Sequence, residues 1–223
     1  MTGIRWWSRR PRVPELPPAK RMRSSSADAG AVPSSGRPLN GGGNAYPRLS
    51  RLPGRMQWSI IPGMQIQVGI ITISDRASKG LYDDLGGPAL KKAAQGYGWN
   101  VLAEALVPDE RRDIQRAIRE QIQRGCSLVL TTGGTGVALR DVTPEAVREI
   151  AIRELPGFGE VMRAESMKIT KNAILSRNLA AVVEKSLVIC LPGKPSGAVE
   201  CLSFVVGAIP HCVEVLQEVP TSC

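Results

Sequence analysis

Five short stretches of this 223-residue chain carry residue types suited to phosphate chemistry. The densest is residues 128–145, LVLTTGGTGVALRDVTPE, where Gly133, Gly134 and Gly136 are set among Thr131, Thr132 and Thr135 and are followed by Asp141. Glycines let a backbone approach an anion closely and leave amide N–H groups pointing at it, and threonine hydroxyls would add donors. A carboxylate in the same loop repels an anionic ligand unless a cation lies between them, so Asp141 points to Mg2+. The other four stretches are Ser74-Asp75, Pro108-Asp109, Ser176-Arg177 and Pro192-Gly193-Lys194. Taken singly, each has a plainer reading. Asp109 fits a helix N-cap, Ser176-Arg177 a helix end with a cation complementing the dipole, and Lys194 a solvated turn.

Their weight comes from the elements that must position them. Residues 66–74 (IQVGIITIS), 101–107, the run beginning at Leu128, and 187–191 (LVICL) are apolar, β-branched runs that read as buried strands. Between them fall helical patterns at 87–96, at 111–123 with Ile114, Ile118 and Ile122 on one face, and at 143–154. The last of these opens on Thr143 as a hydroxyl cap with Pro144 behind it. Residues 75–80 read as a polar loop. Pro156-Gly157 reads as a break before a helix over 159–168, and 171–178 as a short helical piece. The last predicted helical run, 196–217, is interrupted near Gly207 and Pro210. Strands alternating with helices predict an α/β fold: a three-layer, mostly parallel sheet with right-handed crossovers. In such a sheet ligands sit at the C-terminal ends of the strands. Four of the five stretches follow directly on strands, so they should meet at one rim, with Asp109 and Asp141 as the metal-holding pair.

Composition narrows the alternatives. The net charge is +9, but residues 1–63 carry 11 basic and two acidic side chains, and the remaining 160 residues carry 18 of each. The basic excess thus belongs to a Pro-, Arg-, Ser- and Gly-rich segment and not to the folded part, so no nucleic-acid surface is inferred. That segment reads as a disordered extension or an organelle transit peptide, with Met56 and Met64 as alternative starts. The domain is 64–223. The odd set of five cysteines (Cys126, Cys190, Cys201, Cys212, Cys223) contains no CxxC pair and reads as reduced thiols. A cytoplasmic site of action is expected, or an organelle if the extension is a transit peptide. No membrane span is expected. His211 is the only histidine, which leaves little room for a Ser–His–Asp triad or a His-rich metal site. Walker-type GxxxxGK[ST] and strand-linked GxGxxG motifs are absent, and GKPSG at 193–197 has the wrong register for a nucleophile elbow.

The stretches ISDRASKGLYDDLGGPAL, LVPDE, LVLTTGGTGVALRDVTPEA, ELPGFGEVMR, AILSR and LPGKPSGAVECL, in this order over 64–217, resemble the molybdopterin adenylyltransferases. That family includes bacterial MogA, the plant Cnx G domain and the G domain of gephyrin. The resemblance implies a MogA-like molybdopterin-binding fold, usually a homotrimer. It implies Mg2+-dependent transfer of AMP from ATP to the terminal phosphate of molybdopterin, with release of pyrophosphate. A separate molybdenum-inserting partner would use the product. The family's two essential aspartates fall on Asp109 and Asp141, its glycine loop on Thr131, Thr132, Gly133, Gly134, Thr135 and Gly136, and its Ser-Asp on Ser74 and Asp75. Its LPGxP turn covers Pro192, Gly193 and Lys194, with Ser176 and Arg177 as further binding residues. A non-catalytic molybdopterin carrier or scaffold and a MoaB-like relative are the alternatives such a resemblance allows. The basic extension is not part of the family domain.

Overall fold

The structure, a computed structural model, describes residues 65–218. The expected extension over 1–63, both alternative starts and Cys223 lie outside the described residues. Three strands are apolar and buried almost throughout: β1 (Gln67–Ile73), β3 (Leu128–Thr132) and β6 (Ser186–Leu191). With β2 (Asn100–Val107), β4 (Arg153–Glu154) and β5 (Ala180–Val183) they form one six-stranded sheet in the order β2-β1-β3-β6-β5-β4. The first four pair in parallel, and β5 runs antiparallel to both of its neighbours.

Side chains alternate across this sheet with the two-residue period of a strand. Val68, Ile70, Leu128, Leu130, Leu187, Ile189 and Leu191 face one helical layer and meet Leu90, Met162, Leu202 and Val213. Those four come from α2 (Gly86–Gly96), α5 (Pro156–Met167), α6 (Pro195–Val205) and α7 (Ile209–Leu216). Ile71, Ile73, Val129, Val188 and Cys190 face the other layer. There they pack on α3 (Arg111–Gln123) and α4 (Thr143–Ile150) through Ile114, Ile118, Ala146 and Val147. Each fully buried Leu or Ile contributes about 1.5–3 kcal/mol, so the two apolar faces hold the sheet between its helical layers. This is the expected three-layer arrangement. The run Pro195–Leu216 is long and apolar enough to cross a membrane by length and composition, with a mean hydropathy of 1.6. Here a 3-10 turn at Val206–Ala208 divides it, and Ala198, Leu202, Ile209 and Val213 insert into the core. Cys126, Cys190, Cys201 and Cys212 are free thiols.

Four local expectations are corrected. The 75–80 loop begins as a one-turn helix, α1 (Asp75–Ser78), capped by the Ser74 hydroxyl. Helix α4 stops at Ile150, because Ala151 turns extended. The amides of Ile152 and Leu155 then bond to Val182 and Ala180 of β5, so 153–154 is strand and not helix. Pro156 opens α5 instead of breaking the chain before it, as proline does in a first helical turn. Finally, Thr143 is the first residue of α4 and not its cap; Val142 holds the cap position without a side-chain bond.

Candidate active site

Register explains why the motifs meet. Ile73 pairs with Val107, Thr72 with Thr132, and Thr132 with Leu191, so β1, β2, β3 and β6 end level with one another. The next residues along each chain are Ser74, Pro108, Gly133 and Pro192, and they share one rim.

At the β1–β2 corner two aspartates hold each other by their backbones. The Asp75 amide donates to Asp109 Oδ2 at 2.8 Å, and the Asp109 amide donates to Asp75 Oδ1 at 3.2 Å. Ser74 locks the corner: its amide donates to Val107 O, and its hydroxyl caps α1 and contacts the Tyr82 hydroxyl at 3.1 Å. Arg140 closes the outside. Its Nε and Nη2 each donate to Asp75 at 2.9 Å, and Nη1 donates to Glu110 at 2.8 Å. The Arg140 guanidinium holds the Asp75 carboxyl below the usual carboxylate range. Burial pushes Asp109 the other way, and the charges of Asp75 and Asp141 add to that rise.

The glycine turn sits against this corner. Gly133 has φ +107°, and a Cβ there would lie 2.1 Å from Ile73 O. Gly134 has φ +63°, and its Cβ would lie 2.3 Å from Thr143 Oγ1 and 3.0 Å from Asp109 Oδ1. No side chain fits at either position. Asp141 covers the far end of the turn. Its Oδ2 accepts from the Ala138 amide at 2.8 Å and lies 2.8 Å from where a Gly136 Cβ would be. Carboxylate oxygens of Asp109 and Asp141 therefore lie against the same turn.

The threonine hydroxyls do not serve as expected. Thr132 donates to Pro192 O at 2.8 Å, Thr135 to Leu191 O at 3.5 Å, and Thr131 Oγ1 is fully buried in the sheet with no partner among the described residues. They fasten or fill the structure; the donors left over are main-chain. The amides of Gly134, Thr135 and Gly136 donate to no group among the described residues. Gly193 approaches so closely that its Cβ would lie 3.3 Å from Gly133 Cα, which brings the N-terminus of the 11-residue helix α6 beside the turn. Free amides and a helix N-terminus form an anion cradle. Lys194 is exposed at that N-terminus as the cap residue.

Arg177 is a brace and does not present its charge outward. Its amide donates to Thr135 O at 3.0 Å, its Nε to Gly136 O at 2.6 Å, and its two Nη groups to Glu145 and Asp141 O. Ser176 Oγ accepts from the Asn178 amide at 3.4 Å. Sequence reasoning passed over Arg140, Glu110 and Glu145, although an arginine next to Asp141 in the RD pair was the available signal. It also passed over Asp84, which accepts from Thr72 Oγ1 at 2.7 Å and from the amides of Gly86 and Gly87, and so fixes the start of α2 at the same rim.

Among the described residues no group of three or more His, Cys, Asp or Glu side chains forms a metal cage. Mg2+ needs no such cage, because it takes one or two carboxylates and completes its shell with water and substrate phosphates. Burial and two neighbouring acids disfavour the charged form of Asp109, and a cation beside it would offset that. The donor set fits.

Residues 69–211 match the family described as "Probable molybdopterin binding domain". The molybdopterin adenylyltransferase of Helicobacter pylori strain J99 is 47% identical over 154 residues, covering 68% of this chain and 88% of that protein. The molybdopterin adenylyltransferase of Escherichia coli K12 is 40% identical over 168 residues, covering 68% and 86%. The crystal structure of the molybdopterin biosynthesis enzyme MoaB from Thermus thermophilus matches with a TM-score of 0.66 and 40% identity, over 71% of this chain and 100% of that one. With the family match spanning well over half of its length, this chain belongs to the molybdopterin-binding domain family.

Proposed function

We propose that the domain transfers AMP from ATP to the terminal phosphate of molybdopterin and releases pyrophosphate, using Mg2+ held by Asp141 and Asp109. The observation that carries this reading is the pair of carboxylates lying against a glycine turn whose amides are free. The names of the relatives agree with it.

The reaction joins two anions, so the protein's task is positioning and charge neutralisation. A phosphate oxygen of the pterin attacks the α-phosphorus of ATP, and the bond to the β-phosphate oxygen breaks. A phosphate monoester is largely ionised at neutral pH and needs no strong base. His211 fits that account: it lies on α7, largely exposed, with Glu214 3.8 Å away. Mg2+ would supply charge neutralisation across the phosphate oxygens. The amides of Gly134, Thr135 and Gly136, with the α6 N-terminus, would hold a phosphate group and orient it. Ser74, Asp75, Ser176 and Lys194 would seat the nucleotide or the pterin. Arg177 keeps the Gly136–Asp141 loop in shape for both.

The test is direct. Protein incubated with ATP, Mg2+ and molybdopterin should release pyrophosphate in proportion to adenylylated pterin, and chelation with EDTA should stop it. Binding of molybdopterin with no pyrophosphate would instead identify a carrier.

A further inference from the structure

Two arginines reach the same loop and are held in opposite ways. Arg177 is half-buried and bonds to two main-chain carbonyls and Glu145, so it belongs to the scaffold. Arg140 lies on an outer segment in which Val137 is 67% and Leu139 100% exposed, and its own side chain is 56% exposed. All three of its bonds go to carboxylates, Asp75 and Glu110, and none to backbone. Charge alone holds it. The acids it serves, Asp75 and Glu110, adjoin Asp109, whose carboxylate accepts from the Asp75 amide and feels the charge of Asp141.

We infer that Arg140 is the resident cation of the nucleotide-free site, and that it exchanges Asp75 and Glu110 for the phosphate chain of the incoming nucleotide, so that the divalent ion enters with the nucleotide and not ahead of it. The guanidinium fork fits a carboxylate and a phosphate equally well, so the exchange conserves its bonds. While it stays on the acids, a free divalent ion meets a fixed positive charge beside its ligands. Once it moves to the phosphates, Asp109 and Asp141 would hold the metal without that competitor, and a negative charge on the ligand is paired. A largely exposed arm that bonds to no backbone group can make the move without disturbing the fold.

This rests on the reading that the corner takes a metal–nucleotide complex, but its test does not require turnover. Mn2+ is titrated into the full-length, nucleotide-free protein and free Mn2+ is followed by electron paramagnetic resonance. Arg140→Gln should bind Mn2+ roughly tenfold more tightly than the wild type, the effect of removing a unit charge about 6 Å from a divalent ion in a water-like dielectric. Arg140→Lys, which keeps the charge, should stay near the wild type. With a non-hydrolysable ATP analogue present the order should invert, Arg140→Gln binding the Mn2+ complex more weakly. Equal or weaker Mn2+ binding by the nucleotide-free Gln variant overturns the inference, as does a Lys variant that behaves like Gln. A wild type that makes no pyrophosphate would instead sink the adenylyl-transfer reading and leave the Mn2+ comparison standing.

Discussion

The sheet has two unlike halves. In β2-β1-β3-β6 all strands run the same way, so every C-terminal end arrives at one edge, and each end delivers a motif: Ser74-Asp75, Asp109, the glycine turn, Pro192-Gly193. In β6-β5-β4 neighbouring strands run opposite ways, and the ends deliver a tight turn at Glu184, with φ +53°, and an exposed ion pair, Arg148–Glu154. The difference teaches that parallel packing concentrates chain ends and therefore chemistry, whereas the antiparallel flank extends the core and braces the loop through the segment that carries Arg177.

If that division is real, substitutions in the first half should damage turnover and those in the second should damage only stability. The largest effect is expected at the carboxylates. Asp141→Asn or Asp109→Asn should lower adenylyl transfer by about 10²–10³-fold with the fold intact by circular dichroism, the size seen when a charge-stabilising group is removed. Near-normal turnover in either variant would end its assignment to the metal. Next comes Gly133→Ala. Its methyl group would collide with Ile73 O at a positive φ, so chemical denaturation should show a loss of about 2–3 kcal/mol, with turnover falling as well because the turn must shift. Val182→Ala, in the buried middle of β5, should cost roughly 1.5–2 kcal/mol for two buried methyl groups and leave the kcat of the folded protein unchanged. A kcat defect there would dissolve the distinction between the halves.

The smallest effect sharpens the comparison at its outer edge. Arg148 bonds to Glu154 at 2.9 and 3.1 Å and holds that carboxyl below its ordinary range. A carboxylate depressed on folding stabilises the protein above its unfolded pKa, and that contribution is lost as pH falls through the folded value. Glu154→Gln should therefore cost less than about 1 kcal/mol at neutral pH, since the pair is exposed. Melting curves of the two proteins should converge in acid, below the carboxylate range, with no change in turnover at any pH where both are folded.

The same division governs what could be read from the sequence. The parallel half was legible, because long β-branched runs, the Ile114–Ile118 face of α3 and the glycine at 125 that ends it are local signals. The rim was legible too, since it follows from strand direction once the strands are placed. The flank was not. Ala180–Val183 is four small apolar residues with no periodicity of its own, and it becomes a strand by pairing with β6. Residues 151–154 have ordinary helical character, but β5 offers their amides partners, and pairing across the sheet overrides propensity. At the site, side-chain directions were the part hidden. Nothing local distinguishes a threonine aimed at a ligand from Thr132, which bonds to Pro192 O, or an arginine that binds substrate from Arg177, which holds carbonyls of its own loop.

The crossed bonding of Asp75 and Asp109 has an energetic corollary. Each acid's carboxyl is anchored by the main chain of the other, so altering one loosens the support of its neighbour. Losses for Asp75→Ala and Asp109→Ala, each of which removes the accepting oxygens, should therefore not sum: the double variant should be less impaired than their product, and the shortfall measures how far the β1 and β2 ends act as one unit.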